Sequence, residues 1–187
     1  MRSGGRRTIL AAAILLIALS SMAAAERTRR GKKPESHPAA APVVPADKRD
    51  RTVNVPGSPF HGRAYWQAAA QCGGIYFKLG TLTSEAAIRA KVIRPDPAAY
   101  ASLSKDANAA NKSATAFFVV AERVLIADRK LARDEAVMTY DVVASASGER
   151  IKTAEAAVLA AKPCAELYLA CHGAFPQVCN EKSVPGS

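Results

Sequence analysis

Four cysteines, Cys72, Cys164, Cys171 and Cys179, carry the most distinctive chemistry in this chain. A structural zinc site wants such ligands in closely spaced pairs, and no C-x-x-C pair occurs, with only His172 nearby. The haem-attachment pattern C-x-x-C-H is missing too, because Tyr168 stands where the first cysteine before Cys171-His172 would have to be. A thioredoxin-like exchange site needs the same absent motif. An even number of cysteines in an exported chain instead favours two disulfides.

Geometry narrows the pairing. If 163–172 is one helix, Cys164 and Cys171 lie about 10 Å apart along its axis, beyond the roughly 7 Å Cα limit for a bridge. That removes Cys164–Cys171, and Cys72–Cys179 with it. Cys72–Cys164 with Cys171–Cys179 needs a local turn through Gly173 and Pro176. Cys72–Cys171 with Cys164–Cys179 requires the last residues to run back along the helix. The first pairing is favoured.

Catalytic patterns are sparse. The sequence has no G-x-S-x-G elbow, no H-E-x-x-H and no glycine-rich phosphate loop after a strand. His37 and His61 stand alone in a polar tail, which leaves His172 as the one histidine base in the body of the chain. Near a helix C-terminus its ordinary role is a charge–dipole contact. Asp134, Glu135 and Asp141 belong to one helix, with Asp134 and Asp141 on the same face; ion pairs with Arg133 or Arg150 are expected of them before acid–base work. An enzyme assembled from scattered groups would start from Tyr140, Asp141 and His172. No cofactor is expected, and a haem- or metal-binding bundle is the remaining alternative.

The net charge of +10 suggests nucleic acid until it is located. Arg2, Arg6 and Arg7 account for three of these charges; residues 26–61 hold eight Lys/Arg against four Asp/Glu, and 62–187 fifteen against twelve. The body is mildly basic, without aromatic–basic interleaving, so no nucleic-acid partner is expected.

Residues 1–25 read as a secretory signal: a basic start, an apolar run from Ile9 to Leu19, and Ala23-Ala24-Ala25 placed for cleavage between Ala25 and Glu26. Arg6-Arg7 also resembles the twin-arginine export pattern, and an uncleaved anchor is the alternative, since basic residues follow the cleavage position directly. Sec export to the periplasm or medium is the expectation. Residues 26–61 contain six of the eleven prolines and few large apolar groups, which predicts a disordered basic linker. Its charges could touch an anionic membrane surface, and an envelope protein is the other partner considered.

Residues 62–187 are predicted to form an all-α, antiparallel bundle of five or six helices around one long helix. That helix runs from the Asp96-Pro97 start to about Leu131, with apolar residues at helical spacing from Tyr100 to Leu125 and a bend expected near Asn108–Ser113. A helix through Cys72 is expected to close at Gly80, and a short one to follow Thr83. Ser147-Gly148 reads as a turn, and Pro163 as the start of the last helix. Gly73-Gly74 inside the first helix marks a close approach by a neighbour. Together these features predict an exported, non-enzymatic envelope protein acting as a binding or structural module.

Overall fold

In the computed structural model of the chain, residues 44–179 are described, apart from 46, 94 and 177 and the side chain of residue 172. The expected signal segment, its cleavage at Ala25–Glu26 and the first part of the linker lie outside the described residues. Four helices account for most of the rest: α1 (Tyr65–Val92), α2 (Pro97–Arg129), α3 (Arg133–Glu149) and α4 (Ala154–Ala174). No strand occurs among the described residues, and a single antiparallel bridge joins Thr52 to Ala64.

The long helix starts as its sequence dictates. Asp96 is extended, its carboxylate accepts from the Ala99 N–H at 2.9 Å, and Pro97 occupies the first helical position, where no N–H is needed. It runs unbroken through Asn108–Ser113. Ser113 donates to the Ala109 carbonyl within the same helix. Lys130 ends it in the left-handed conformation at φ 59°.

Among the described residues the expected five or six helices are four, because Gly80 and Pro163 do not break theirs, and α3 runs a turn further than expected. Gly80 lies inside α1; a Cβ there would sit 2.1 Å from Asn111 Oδ1 of α2, so the residue makes room for a neighbour and closes nothing. Ser147 and Gly148 form the last turn of α3, both buried, with Gly148 facing the Gly74 carbonyl. Pro163 lies inside α4. Its missing N–H deprives the Leu159 carbonyl of its usual donor, but Leu159 is 62 % exposed, on a face where water can substitute.

The bundle centres on α1, not on the long helix. α1 packs against α2, α3 and α4 in turn, whereas α4 packs chiefly on α1. Small residues allow this: Ala68, Ala69, Ala70, Cys72, Gly73 and Gly74 are all buried. At Gly74 the approach is backbone to backbone, since a Cβ would lie 2.1 Å from the Ala144 carbonyl oxygen of α3; at Gly73 it would meet the Phe118 ring of α2 at 2.3 Å. The aromatic layer follows the same plan. Phe117 stacks with Tyr76 of α1 and meets Tyr168 of α4 edge-on, while Phe118 stacks on Tyr140 of α3.

This contact separates the two glycines experimentally. Ala is favoured over Gly in a helix by about 1 kcal/mol. Against that, Gly74→Ala must push two backbones apart, an overpacking cost of about 3 kcal/mol, for a net loss of about 2 kcal/mol. Gly73→Ala asks only that a half-buried ring turn aside, so its net loss should be smaller. Urea unfolding of both variants tests the order; equal losses would mean that α1 and α3 do not meet through backbone at Gly74.

The expected disordered linker requires correction over its second half. Residues 47–63 form an arm packed on the bundle, with Val53 and Phe60 each 2 % exposed. The arm also caps α1, which has no capping side chain: the Tyr65 N–H donates to the Arg51 carbonyl at 2.8 Å, and Val53 exchanges backbone hydrogen bonds with Arg63 and Gly62. The packed body therefore begins before the expected boundary at Gly62. Among the described residues, no helix is long and apolar enough to cross a membrane.

Candidate functional site

Two features have the chemistry of a site: an ionic clasp at one pole, and a groove along α1 and α3. The clasp forms where the arm meets the end of α2. Two Asp-Arg dipeptides pair reciprocally, Asp50 with Arg129 and Arg51 with Asp128. Arg129 grips both oxygens of Asp50, from Nε at 2.7 Å and from its second nitrogen at 2.6 Å, a bidentate geometry. The Asp50 side chain is 1 % exposed and that of Arg129 13 %. The guanidinium also lies 5.0 Å from the Trp66 ring centre. The Trp66 indole N–H is turned toward the Asp50 carboxylate without reaching full hydrogen-bond geometry. Arg51 binds Asp128 and covers the Phe175 ring at 3.9 Å, so the clasp reaches the loop that follows α4.

Burial by itself would raise the Asp50 carboxyl, but hydrogen bonds from Arg129 and the Asp47 N–H, helped by the nearby Trp66 N–H dipole, outweigh it and hold the group below the usual carboxylate range. A carboxyl depressed on folding contributes stability that is present above its unfolded value near 4 and lost as pH falls through its folded value. Asp50→Asn should therefore cost about 3 kcal/mol at pH 7, because Arg129 stays buried without its partner. The gap between variant and parent melting temperatures should close below about pH 4. Melting curves from pH 7 to pH 3 check this, and a constant gap would refute an ionised pair.

The groove is bounded by Gly74, Phe77 and Lys78 of α1, Phe118 of α2, and Asp141, Ala144, Ser145, Gly148 and Glu149 of α3, and encloses about 400 Å³. Its floor is formed by the same small residues that let α1 and α3 touch. Phe77, 58 % exposed, stands at the mouth, with Phe118 as the inner wall. Two carboxylates and one ammonium line its sides. This arrangement suits an apolar group held against aromatic rings, with polar substituents at the rim.

The residues singled out for catalysis are distributed unevenly. Asp141 lines the groove, and Tyr140 stacks behind it on Phe118. Burial, then the charges of Glu122 and Asp141, push the Tyr140 phenol up, with Arg133 opposing, so the hydroxyl stays protonated at neutral pH. His172 belongs to the last turn of α4, a helix that supplies none of the groove residues, and its side chain lies outside the described residues. Arg133 pairs with Glu122 of α2 at 2.9 Å, not with Asp134 or Asp141 as expected. Tyr65 donates its hydroxyl to the Leu167 carbonyl, and burial pushes its phenol up as well. Among the described residues, no group of three His, Cys, Asp or Glu side chains is arranged to hold a metal.

The cysteines stand in the favoured one of the two pairings that helical spacing leaves open: Cys72 with Cys164, and Cys171 with Cys179, both pairs at disulfide distance, with Cα separations of 5.7 and 5.9 Å. Sequence reasoning missed Asp50, Arg129 and the role of Trp66. The available signal was the Asp-Arg dipeptide, which occurs twice in the chain and both times in the clasp. The chain matches no family model, no curated protein and no solved structure.

Proposed function

We propose that the chain is an exported, non-enzymatic helical protein of the bacterial cell envelope, a binding or structural module. The observation that supports this reading is the complete pairing of its cysteines at disulfide distance, behind a segment with the pattern of a cleaved export signal. The α1–α3 groove is the surface this reading offers to a ligand. The polar groups at the clasp are engaged with one another, in ion pairs that fix the arm.

Intact mass of the protein recovered from the periplasm tests the proposal. The expected mass starts at Glu26 and is lighter by the four hydrogens that two disulfides remove. A mass retaining Met1 points to an uncleaved anchor, and four free thiols would overturn the export reading. A second reading, an enzyme using Tyr140, Asp141 and His172, has the placement of Asp141 in the groove in its favour. A turnover assay responsive to Asp141→Asn would establish it; ligand binding at the groove without turnover supports the module.

A further inference from the structure

The end of α1 away from the clasp is bare. α3 stops at Glu149, where Gly148 lies against Lys78. α1 continues from there to Val92, and α2 returns from Pro97. No described residue between Ala87 and Ala107 is buried, so the last turns of this helical hairpin carry no cover. Three branched aliphatic side chains stand at that tip: Ile88, Val92 and Ile93, 60, 68 and 68 % exposed. Single exposed apolar residues are ordinary, but three together on a projecting end mark an interaction surface. Arg89 and Lys91 alternate with them, Lys91 lying 5.2 Å from the Tyr100 ring centre. Of the acids nearby, Asp96 is engaged in capping α2, and Glu85 lies one helical turn back from Arg89, further from the tip.

We propose that this tip docks into an anionic lipid bilayer. Ile88, Val92 and Ile93 enter the boundary between headgroups and acyl chains, while Arg89 and Lys91 hold anionic headgroups. The size of the surface decides the occupant. Two helix ends side by side cover about 20 Å by 10 Å, a convex footprint well short of the roughly 800 Å² per partner that a stable protein interface needs. A bilayer requires no shaped counterpart; it accepts a convex apolar end and adds attraction for each flanking cation. This surface is distinct from the basic linker and does not depend on the export reading.

The test needs a readout confined to the tip, because the basic linker can also attract anionic lipid. A Val92→Trp variant of the full chain places a reporter there, while Trp66, 0 % exposed, supplies a constant buried background. With vesicles of phosphatidylethanolamine and phosphatidylglycerol, the added emission should shift to the blue and be quenched by brominated acyl chains. Phosphatidylcholine vesicles should produce neither effect. Adding Arg89→Glu and Lys91→Glu should raise the lipid concentration required by at least about tenfold, given about fivefold for each cation removed. All these positions are exposed, so melting temperatures should not move; if the double reversal does lower them, Arg89→Gln with Lys91→Gln replaces it and should act in the same direction. Emission unchanged by anionic vesicles overturns the proposal. So does an equal response to neutral vesicles, or charge variants that insert like the parent.

Discussion

A chain that begins at Phe60 should melt at least about 10 °C below one that begins at Val44. The deleted stretch looks dispensable, being short, charged and proline-rich, yet it carries Val53, buried to 2 %, and both arm members of the ionic clasp. Burying a valine contributes about 1.5–3 kcal/mol. Removing Asp50 leaves Arg129 buried without a partner, at a cost of about 3 kcal/mol or more. Tyr65 loses the acceptor of its backbone N–H, which the helix itself cannot replace. Opposing these losses, the truncated chain no longer has to order sixteen residues, and that recovered entropy is large. Because the arm packs in spite of it, the balance favours the arm; a net loss of about 3–5 kcal/mol is expected, which for a body of this size corresponds to about 10–15 °C. Trp66 supplies an independent reading. As the one tryptophan, fully buried beside the Asp50–Arg129 pair that the truncation breaks, it should emit to the red in the truncated chain even below its melting transition. Unchanged melting and emission would show that the arm does not pack.

What the sequence made legible was local. The start of α2 follows from two adjacent residues, Asp96 and Pro97; a seven-residue separation on one helix removes one of three cysteine pairings, and the short turn through Gly173 and Pro176 favours the observed one of the other two. Gly73-Gly74 signalled a close neighbour because a glycine pair inside a helix is costly unless something needs the space. Gly80 and Pro163 misled for the opposite reason. Each carries a strong local preference for stopping a helix, and packing or hydration around the intact bundle overrides it. The arm was illegible because its partners, Asp128 and Arg129, lie 77 and 79 residues further along the chain. An Asp-Lys-Arg-Asp-Arg run in isolation is a solvated segment; beside its reciprocal dipeptide it is a clasp. The groove has the same character. Asp141 was noticed for its charge, but its setting depends on Gly74, Phe77 and Phe118, which the fold alone brings to it.

Loss of the Cys72–Cys164 link should cost more than any other single change at the cysteines. The two residues are 92 apart in sequence and fully buried, and they join α4 to α1, the helix that carries most of its packing. In the loop-entropy account, a closure of this length restricts the unfolded chain by about 4.7 kcal/mol, whereas the eight-residue separation of Cys171 and Cys179 gives about 2.6 kcal/mol. Alanine at both positions suits the buried site, since it leaves no polar group there. Cys72→Ala with Cys164→Ala should therefore lower stability by about 4–5 kcal/mol, and Cys171→Ala with Cys179→Ala by about half of that. The second pair has a further local effect: its loop presents Phe175 to Tyr65, with ring centres 4.7 Å apart, and to Arg51. Its removal should loosen the clasp, while removal of the first pair should free α4 and with it the contact of Tyr168 with Phe117. Urea unfolding of the two double variants, with non-reducing peptide mapping of the parent, decides between these outcomes. Equal losses from both would contradict the ranking, and a peptide joining Cys72 to Cys179 would remove the link on which the ranking rests.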